Sequence, residues 1–383
     1  MKPIAAKRKK IRVGILYGGR SGEHEVSLRS ASSILAAIDR RRFEVVPIGI
    51  AKSGHWLSGD SARALLTTAT NATRDASAHQ LHVSALQASA LQASPAQLPE
   101  PISSRSIDVV FPVLHGTFGE DGTIQGLLEL ADMPYVGSGV LGSAAGMDKD
   151  VMKRLFIQAN LPIVPHLTLL RRDWETHPQK SIAAIERALR YPLFVKPANL
   201  GSSVGISKVH DRRELAPALT LASRFDRKLV IEQGAALGTK RARELEVAVL
   251  GNDSPTASVV GEIIPGKEFY DYEAKYLSDS SIPIIPAKLT AAQSRSIRAM
   301  AIAAFRACDL SGMARVDFLM EPDGKRRIYL NEVNTLPGFT SISMYPKLWQ
   351  ATGLAYSDLI TRLIELALER HAERARTSFT YET

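Results

Sequence analysis

Hydrophobic and polar positions alternate along this chain in blocks that predict strands and helices in turn. Ile11 to Tyr17 is an apolar run of strand length, followed by the glycine turn Gly18-Gly19-Arg20-Ser21-Gly22. From Val26 to Ile38 the residues Val26, Ile34, Leu35 and Ile38 fall on one face of a helix. A second strand is predicted at Phe43 to Ile50, and this alternation indicates a parallel sheet with crossover helices. Between Asp60 and Ser106 the pattern dissolves into Ala, Ser, Thr and Gln, with a near-repeat at Leu86 to Ala90 and Leu91 to Pro95. That composition reads as an inserted loop or weak helix. Order returns at Ile107 to Leu114, a strand ending on His115-Gly116, and the carboxyl ends of such strands are where open α/β sheets place ligand contacts.

From Gly137 the pattern changes. A helix is predicted from Asp148 to Ala159, then a strand at Tyr191 to Pro197, a glycine-serine loop at Ala198 to Gly205, and a strand at Ile206 to Val209, which together make a hairpin with a flexible tip. Further strands are predicted at Glu244 to Leu250, Val259 to Ile264, Arg315 to Met320 and Arg327 to Val333, with a long loop at Pro265 to Ser281. The closing helix carries Leu359, Ile360, Leu363, Ile364 and Ala367 as one apolar stripe, which is core packing.

Composition narrows the class. A chain of 383 residues with 45% hydrophobic content exceeds what one core serves and predicts two or three domains. No apolar run approaches the roughly 18 to 20 residues that span a bilayer, and the first apolar stretch lacks the features of a secretory signal, so a cytoplasmic protein without membrane insertion is expected. The single cysteine, Cys308, excludes an internal disulfide and a cysteine metal cluster, and its Ala-rich helical setting predicts a small buried side chain. The net charge of +9 gathers at the two ends, in Lys2, Lys7, Arg8, Lys9, Lys10 and Arg12 and in Arg370, Arg374 and Arg376. Neither run is interleaved with aromatic residues, so nucleic acid is not the expected partner, and a basic interior suits a small anionic substrate.

Three short patterns lead nowhere. Gly137-Ser-Gly139-Val-Leu-Gly142 spells a dinucleotide fingerprint but lacks a clear preceding strand and a following acidic residue, and reads as a tight turn. Gly201-Ser-Ser203-Val-Gly205 spells a nucleophile elbow, yet the only later histidines are His210 and His371. His24-Glu25 begins like a zinc-protease helix, but position 28 is leucine. A Walker A loop is also missing, since Gly266-Lys267 and Gly324-Lys325 are followed by Glu and Arg.

A stronger constellation comes from the last two strands. Asp317 and the pair Glu332 and Asn334 place oxygen donors on strands expected to pair across the turn Glu321 to Gly324, and residues two apart on a strand share a face. Two carboxylates and an amide oxygen, completed by phosphate and water, suit octahedral Mg²⁺. Lys196 at the end of an apolar strand and Lys149 at the start of a helix stand where a phosphate needs point charges. Glu232 follows Leu229-Val-Ile231 on a strand of the kind that lines an adenine pocket.

Taken in order, Gly18 to Leu28, His115 to Gly122, Gly201 to Gly205, Glu268 to Tyr276 and Asn331 to Thr340 resemble the D-alanine:D-alanine ligases of the ATP-grasp superfamily, from Ile11 to about Leu366. The resemblance implies a mixed α/β and α+β fold: a Rossmann-like N-terminal domain over residues 1–137 with 60–106 inserted, a central ATP-grasp subdomain over 138–236, and a C-terminal metal-binding domain over 237–383 with a basic tail. By position it implies that Glu23 meets the amino group of the first D-alanine, linked to Ser202 and Tyr276, with His115 near that substrate. Lys149, Lys196 and Lys275 would hold ATP phosphates, Glu232 and Glu244 the adenosine half, with Ser202 also binding ATP, and Asp317, Glu332 and Asn334 two Mg²⁺ ions, with Mn²⁺ as the alternative and a monovalent cation left open. Arg315 and the amide of Gly338 would stabilise a tetrahedral intermediate, and Ser343 would bind the second substrate's carboxylate. A homodimer is the family expectation. The loop Pro265 to Ser281 and the Ser202 loop read as a lid that keeps water from an acyl phosphate. In related D-alanine:D-lactate ligases the lid tyrosine is replaced, so Tyr276 implies an amine as the second nucleophile. Another ATP-grasp ligase would lack the set Glu23, Ser202 and Tyr276, and a non-catalytic nucleotide-binding module would have lost a metal ligand.

Overall fold

The computed structural model describes residues 9–71, 102, 106–201, 203–236, 241–265, 281–322, 327–340 and 342–380. The first sheet has the order β3-β2-β1-β4, formed by β1 (Ile11–Gly18), β2 (Phe43–Ile50), β3 (Trp56–Ser58) and β4 (Val109–Val113). β1 pairs in parallel with both β2 and β4, as the alternating pattern predicted, while β3 is a short antiparallel edge strand that the pattern did not announce. Val13, Ile15, Leu16 and Tyr17 are all buried, because a strand in a parallel sheet is covered on both faces. Helices α1 (His24–Ala37), α2 (Gly59–Asn71) and α3 (Thr123–Leu130) accompany the sheet. The segment read as an insertion therefore starts as a packed helix: Ala62 and Leu65 of α2 belong to the core, and its amphipathic spacing holds it there. Residues 72–101 and 103–105 lie outside the described residues.

After α4 (Val140–Met147) comes α5 (Lys149–Gln158), which starts where it does because the Asp148 carboxylate accepts from the backbone N–H groups of Asp150 and Val151. The glycine turn before α4 is a turn and not a nucleotide fingerprint: Gly137 has φ +101°, and Gly142 packs on the backbone of Asp309. The second sheet is antiparallel, in the order β5-β8-β6-β7, from β5 (His166–Leu170), β6 (Leu193–Pro197), β7 (Ser207–Val209) and β8 (Lys228–Gln233). Helices α6 (Arg171–Thr176), α7 (Pro178–Ala188) and α8 (Arg212–Ser223) belong to the same unit. The predicted hairpin is present, with Val195 opposite Ser207.

The third sheet runs β11-β10-β9-β12-β13, from β9 (Arg243–Gly251), β10 (Thr256–Ile264), β11 (Ile282–Ile284), β12 (Gly312–Met320) and β13 (Ile328–Asn334). α9 (Ala291–Ala307) backs it, opened by a capping box between Thr290 and Gln293 and followed by the buried Cys308. β12 and β13 pair as expected, with Asp317 opposite Glu332 and Arg315 opposite Asn334. α10 (Met344–Ala351) and α11 (Tyr356–Arg374) close the chain. The apolar stripe of α11 joins one core with Ile15 and Val113 of the first sheet and with Phe339, whose ring meets Phe111 edge-on at 5.9 Å. This burial draws residues 335–340 over the carboxyl ends of β1 and β4. Among the described residues no helix is long and apolar enough to cross a membrane.

Candidate active site

Two turns at the carboxyl ends of β1 and β4 build one wall of a cleft. The Ser27 hydroxyl accepts from the Gly18 N–H at 2.7 Å and donates to the Val113 carbonyl, so it ties the first turn to β4. The Ser21 hydroxyl donates to the His115 carbonyl at 2.6 Å and accepts from the Glu23 N–H at 3.2 Å. These bonds bring the buried Glu23 carboxylate against the backbone of two glycines. A β-carbon built on Gly201 would stand 3.0 Å from Glu23 Oε2, and one built on Gly116, whose φ is +77°, would stand closer still.

His115 is spent on architecture. Its Nδ1 lies 2.9 Å from the Leu336 carbonyl, which can only accept, so Nδ1 carries the proton and Nε2 accepts from the Ser30 hydroxyl at 3.1 Å. Ser30 in turn accepts from the Phe339 N–H at 3.2 Å. Burial holds the His115 pKa below its ordinary value, against the nearby Glu23 charge and the Leu336 bond, which favours this neutral ring. Glu120 lies buried beside it. Burial, then the charge of Glu23, raises its pKa well above the carboxylate range, although hydrogen bonds with the Gly116 and Leu336 backbone and the charge of Arg315 pull the other way.

Helix α5 stands between the second and third sheets and contacts both. Lys149 Nζ donates to the Leu200 carbonyl at 2.8 Å and lies 3.9 Å from Glu332 Oε2. Met152 Sδ accepts from the Val333 N–H at 3.4 Å. Lys153, one turn after Lys149, has no exposed surface and lies 2.9 Å from Glu232 Oε1, a charge contact without an aligned hydrogen bond, while Lys196 donates to Glu232 Oε2 at 2.6 Å. Burial would raise the Glu232 pKa, but Lys153 and Lys196 outweigh it and hold it down to about 2. Burial alone would depress Lys196; Glu232, Glu332 and Glu244 reverse this and raise it.

On the third sheet Arg315 grips Asp317 through two parallel bonds of 2.7 Å and reaches within 3.4 Å of Glu246 Oε2. The Asn334 Oδ1 is buried without a hydrogen-bond partner. The Ser343 hydroxyl accepts from the Thr340 N–H at 3.0 Å, and a β-carbon on Gly338 would stand 2.8 Å from it.

Seven of the residues selected from the sequence, Glu23, Lys149, Arg315, Glu332, Asn334, Gly338 and Ser343, line a single cleft of about 340 Å³. Lys196 and Glu232 form a buried ion pair on the adjacent strands β6 and β8; Asp317 and Glu244 lie on β12 and β9, which carry the lining residues Arg315 and Glu246, and the His115 carbonyl holds Ser21, two residues before Glu23. Ser202, Lys275 and Tyr276 lie outside the described residues, as does most of the expected lid. Among the described residues no three His, Cys, Asp or Glu side chains gather as a metal cluster. Glu332 and Asn334 line the cleft and Asp317 stands opposite Glu332 in the strand pair, its carboxylate held by Arg315; two carboxylates and an amide are an all-oxygen set that fits a hard divalent cation, and the buried Asn334 oxygen has no hydrogen-bond partner among the described residues.

The sequence reading passed over Glu120, Glu246, Lys347 and Lys153. The first three line the same cleft. Glu120 lay within the quoted His115 to Gly122 motif, and Lys153 could have been found from its spacing of four from Lys149, which puts both on one helix face.

Comparison with known proteins agrees with this geometry. Residues 12–138 match the family model of the D-ala D-ala ligase N-terminus, and residues 155–365 match that of the D-ala D-ala ligase C-terminus. A D-alanine--D-alanine ligase of Chloroherpeton thalassium is 50% identical over 366 residues, covering 95% of this chain and 98% of its own. One from Geobacillus thermodenitrificans is 49% identical over 378 residues, covering 97% and 100%. Among solved structures, the D-alanine-D-alanine ligase from Coxiella burnetii superposes with a TM-score of 0.76 at 35% identity, covering 97% of each chain. The VanG D-Ala:D-Ser ligase from Enterococcus faecalis superposes with a TM-score of 0.77 at 35% identity, covering 94% of this chain and 100% of that one. The chain belongs to the D-alanine–D-alanine ligase family, with its ATP-grasp fold.

Proposed function

We propose that the chain joins two D-alanine molecules at the expense of ATP, giving D-alanyl-D-alanine, ADP and phosphate for peptidoglycan precursor synthesis. The observation that carries this reading is the meeting of Glu23, Lys149, Arg315, Glu332 and Ser343, drawn from both ends and the middle of the chain, around one cleft. A carboxylate is a poor electrophile, so the first D-alanine attacks the γ-phosphate, the bond to the ADP oxygen breaks, and an acyl phosphate forms. The amine of the second D-alanine then attacks the acyl carbon and phosphate leaves.

Each wall suits one part of that sequence. Glu23 supplies an anion for the first ammonium group. Lys149 and Lys196, joined in this reading by Lys275, are assigned to the phosphates, and Glu232 and Glu244 to the adenosine. Arg315 and the Gly338 amide face the oxyanion, and Ser343, at the N-terminus of α10, meets the second carboxylate. Asp317, Glu332 and Asn334 would hold Mg²⁺, or Mn²⁺ in its place, and a bound ion neutralises charge gathering on the phosphoryl oxygens. Ser202 and Tyr276 complete the Glu23 set in this reading. A Rossmann-like domain over 1–137, the grasp parts over 138–236 and 237–383, a homodimer and a cytoplasmic setting belong to the same proposal.

Phosphate release from ATP and Mg²⁺ on addition of D-alanine, and not of L-alanine, tests the reaction. Product analysis with D-alanine, D-serine and D-lactate together tests the second substrate: D-alanyl-D-alanine is expected, and a dominant D-alanyl-D-serine or D-alanyl-D-lactate would overturn that assignment.

A further inference from the structure

Lys153 is a fully buried ammonium group on a helix wedged between two sheets. Removing such a charge from water costs several kcal/mol, and an ion pair in the interior returns that at best, so an apolar residue of similar volume would serve the fold as well. Its carboxylate partner is already engaged from the other side. Glu232 meets Lys196 at 2.6 Å and Lys153 at 2.9 Å, so two ammonium groups share one buried carboxylate. From the cleft side, Glu332 and Glu244 also act on Lys196. Without Lys153, the Lys196 ammonium would face three carboxylates with little charge left for an anion. Lys153 also reaches the carbonyl of Asn331 at 3.4 Å, the residue before Glu332. One side chain thus touches the strand that carries Glu232 and the strand that carries the proposed metal ligands.

We infer that Lys153 is a positioning residue for the phosphate site: it neutralises Glu232 from the buried side and so keeps the Lys196 charge available to the phosphates of ATP. The inference rests on the reading of Lys196 as an ATP contact. Lys153 itself touches no substrate in this account.

Full-length Lys153→Met, Lys153→Arg, Glu232→Gln and Lys153→Met/Glu232→Gln proteins are compared with the wild type by calorimetric ATP titration, by KM for ATP and for D-alanine, and by thermal melts. Lys153→Met is expected to weaken ATP binding about tenfold or more while the D-alanine KM stays within about twofold, and Lys153→Arg to bind ATP within about threefold of wild type. Because Glu232→Gln alone removes the proposed adenosine contact, the rescue is read as a cycle: Lys153→Met is expected to cost at least about fivefold less ATP affinity in the Glu232→Gln background than in the wild type, since the carboxylate it balances is gone. A merely structural ion pair would recover its melting temperature in the double variant with no such difference in ATP affinity. A folded Lys153→Met protein with near wild-type ATP affinity, or an equal cost in both backgrounds, overturns the inference. Should Lys153→Met not melt cooperatively, the double variant decides: ATP affinity within about threefold of Glu232→Gln alone supports the inference and weaker binding overturns it. Wild-type protein that binds ATP but releases no phosphate with D-alanine would sink the proposed reaction and leave the ATP titrations to judge Lys153; protein that binds no ATP would sink both.

Discussion

A β-carbon on Gly116 would stand 2.5 Å from Glu23 Oε2, so the absence of a side chain at this turn is what lets the loop after β4 close on the carboxylate ahead of α1. Gly116→Ala is expected to displace Glu23 and, at φ +77°, to add backbone strain of about 1–3 kcal/mol. Steady-state phosphate release should show the D-alanine KM raised about tenfold or more with the ATP KM little changed. An unaltered D-alanine KM would count against Glu23 as the ammonium contact.

Glu332 lies at the cleft with a side chain 28% exposed, 3.9 Å from Lys149. The buried Lys149 ammonium keeps its bond to the Leu200 carbonyl when the carboxylate is replaced by an amide of the same shape, so Glu332→Gln is expected to fold normally. The same change removes a carboxylate oxygen from the proposed cation site, and kcat is expected to fall about 100-fold or more. Melting curves and phosphate release check the two halves, and an active, normally folded variant contradicts the placement.

Glu120 carries a pH dependence of one sign. Its folded pKa stands well above 4.5, so the stability it contributes is present below the unfolded value and is lost as pH rises toward the folded one. Glu120→Gln removes this penalty. The melting temperature of the variant relative to wild type is expected to rise as pH increases above about 5, and a difference independent of pH would refute the assignment.

Glu232 acts in the opposite sense. Its folded pKa, near 2, lies below the ordinary 4.5, so its contribution is present above the unfolded value and fades as pH falls through the folded one. Acid titration followed by circular dichroism should show native protein losing stability across that interval. In Glu232→Gln that part of the loss should be absent.

Cys308 is 1% exposed, and burial pushes its thiol up to about 12. Iodoacetamide at neutral pH should leave the native protein unmodified and label it once in denaturant, as read by intact mass. Labelling of native protein would show that the end of α9 opens.

Much of this molecule could be read before any coordinates. Local pattern placed β1, α1, β2, β4, α5 and the β6–β7 hairpin within a residue or two, because those segments satisfy their own periodicity and capping. That Asp317, Glu332 and Asn334 lie on one strand pair was legible because strand geometry is local and the two strands are joined by a short turn. α2 was blurred because its Ala, Thr and Ser content runs on without a break into the similar composition after it, and β3 was too short for a pattern of its own.

The residue types and their order determined the kind of chemistry: glycines where backbone must approach a carboxylate, oxygen donors on paired strands, and lysines at the ends of apolar elements. Only the tertiary structure decided that Glu23, Glu332 and Ser343 share one cleft, that His115 spends both nitrogens bridging β4 to residues 336–339, and that Lys153 and Lys196 divide one carboxylate between them. Those facts depend on contacts between positions far apart in the chain, set by the burial of α11 and Phe339 against the first sheet and of α5 between the other two. No local propensity encodes that closure; the shared cores impose it.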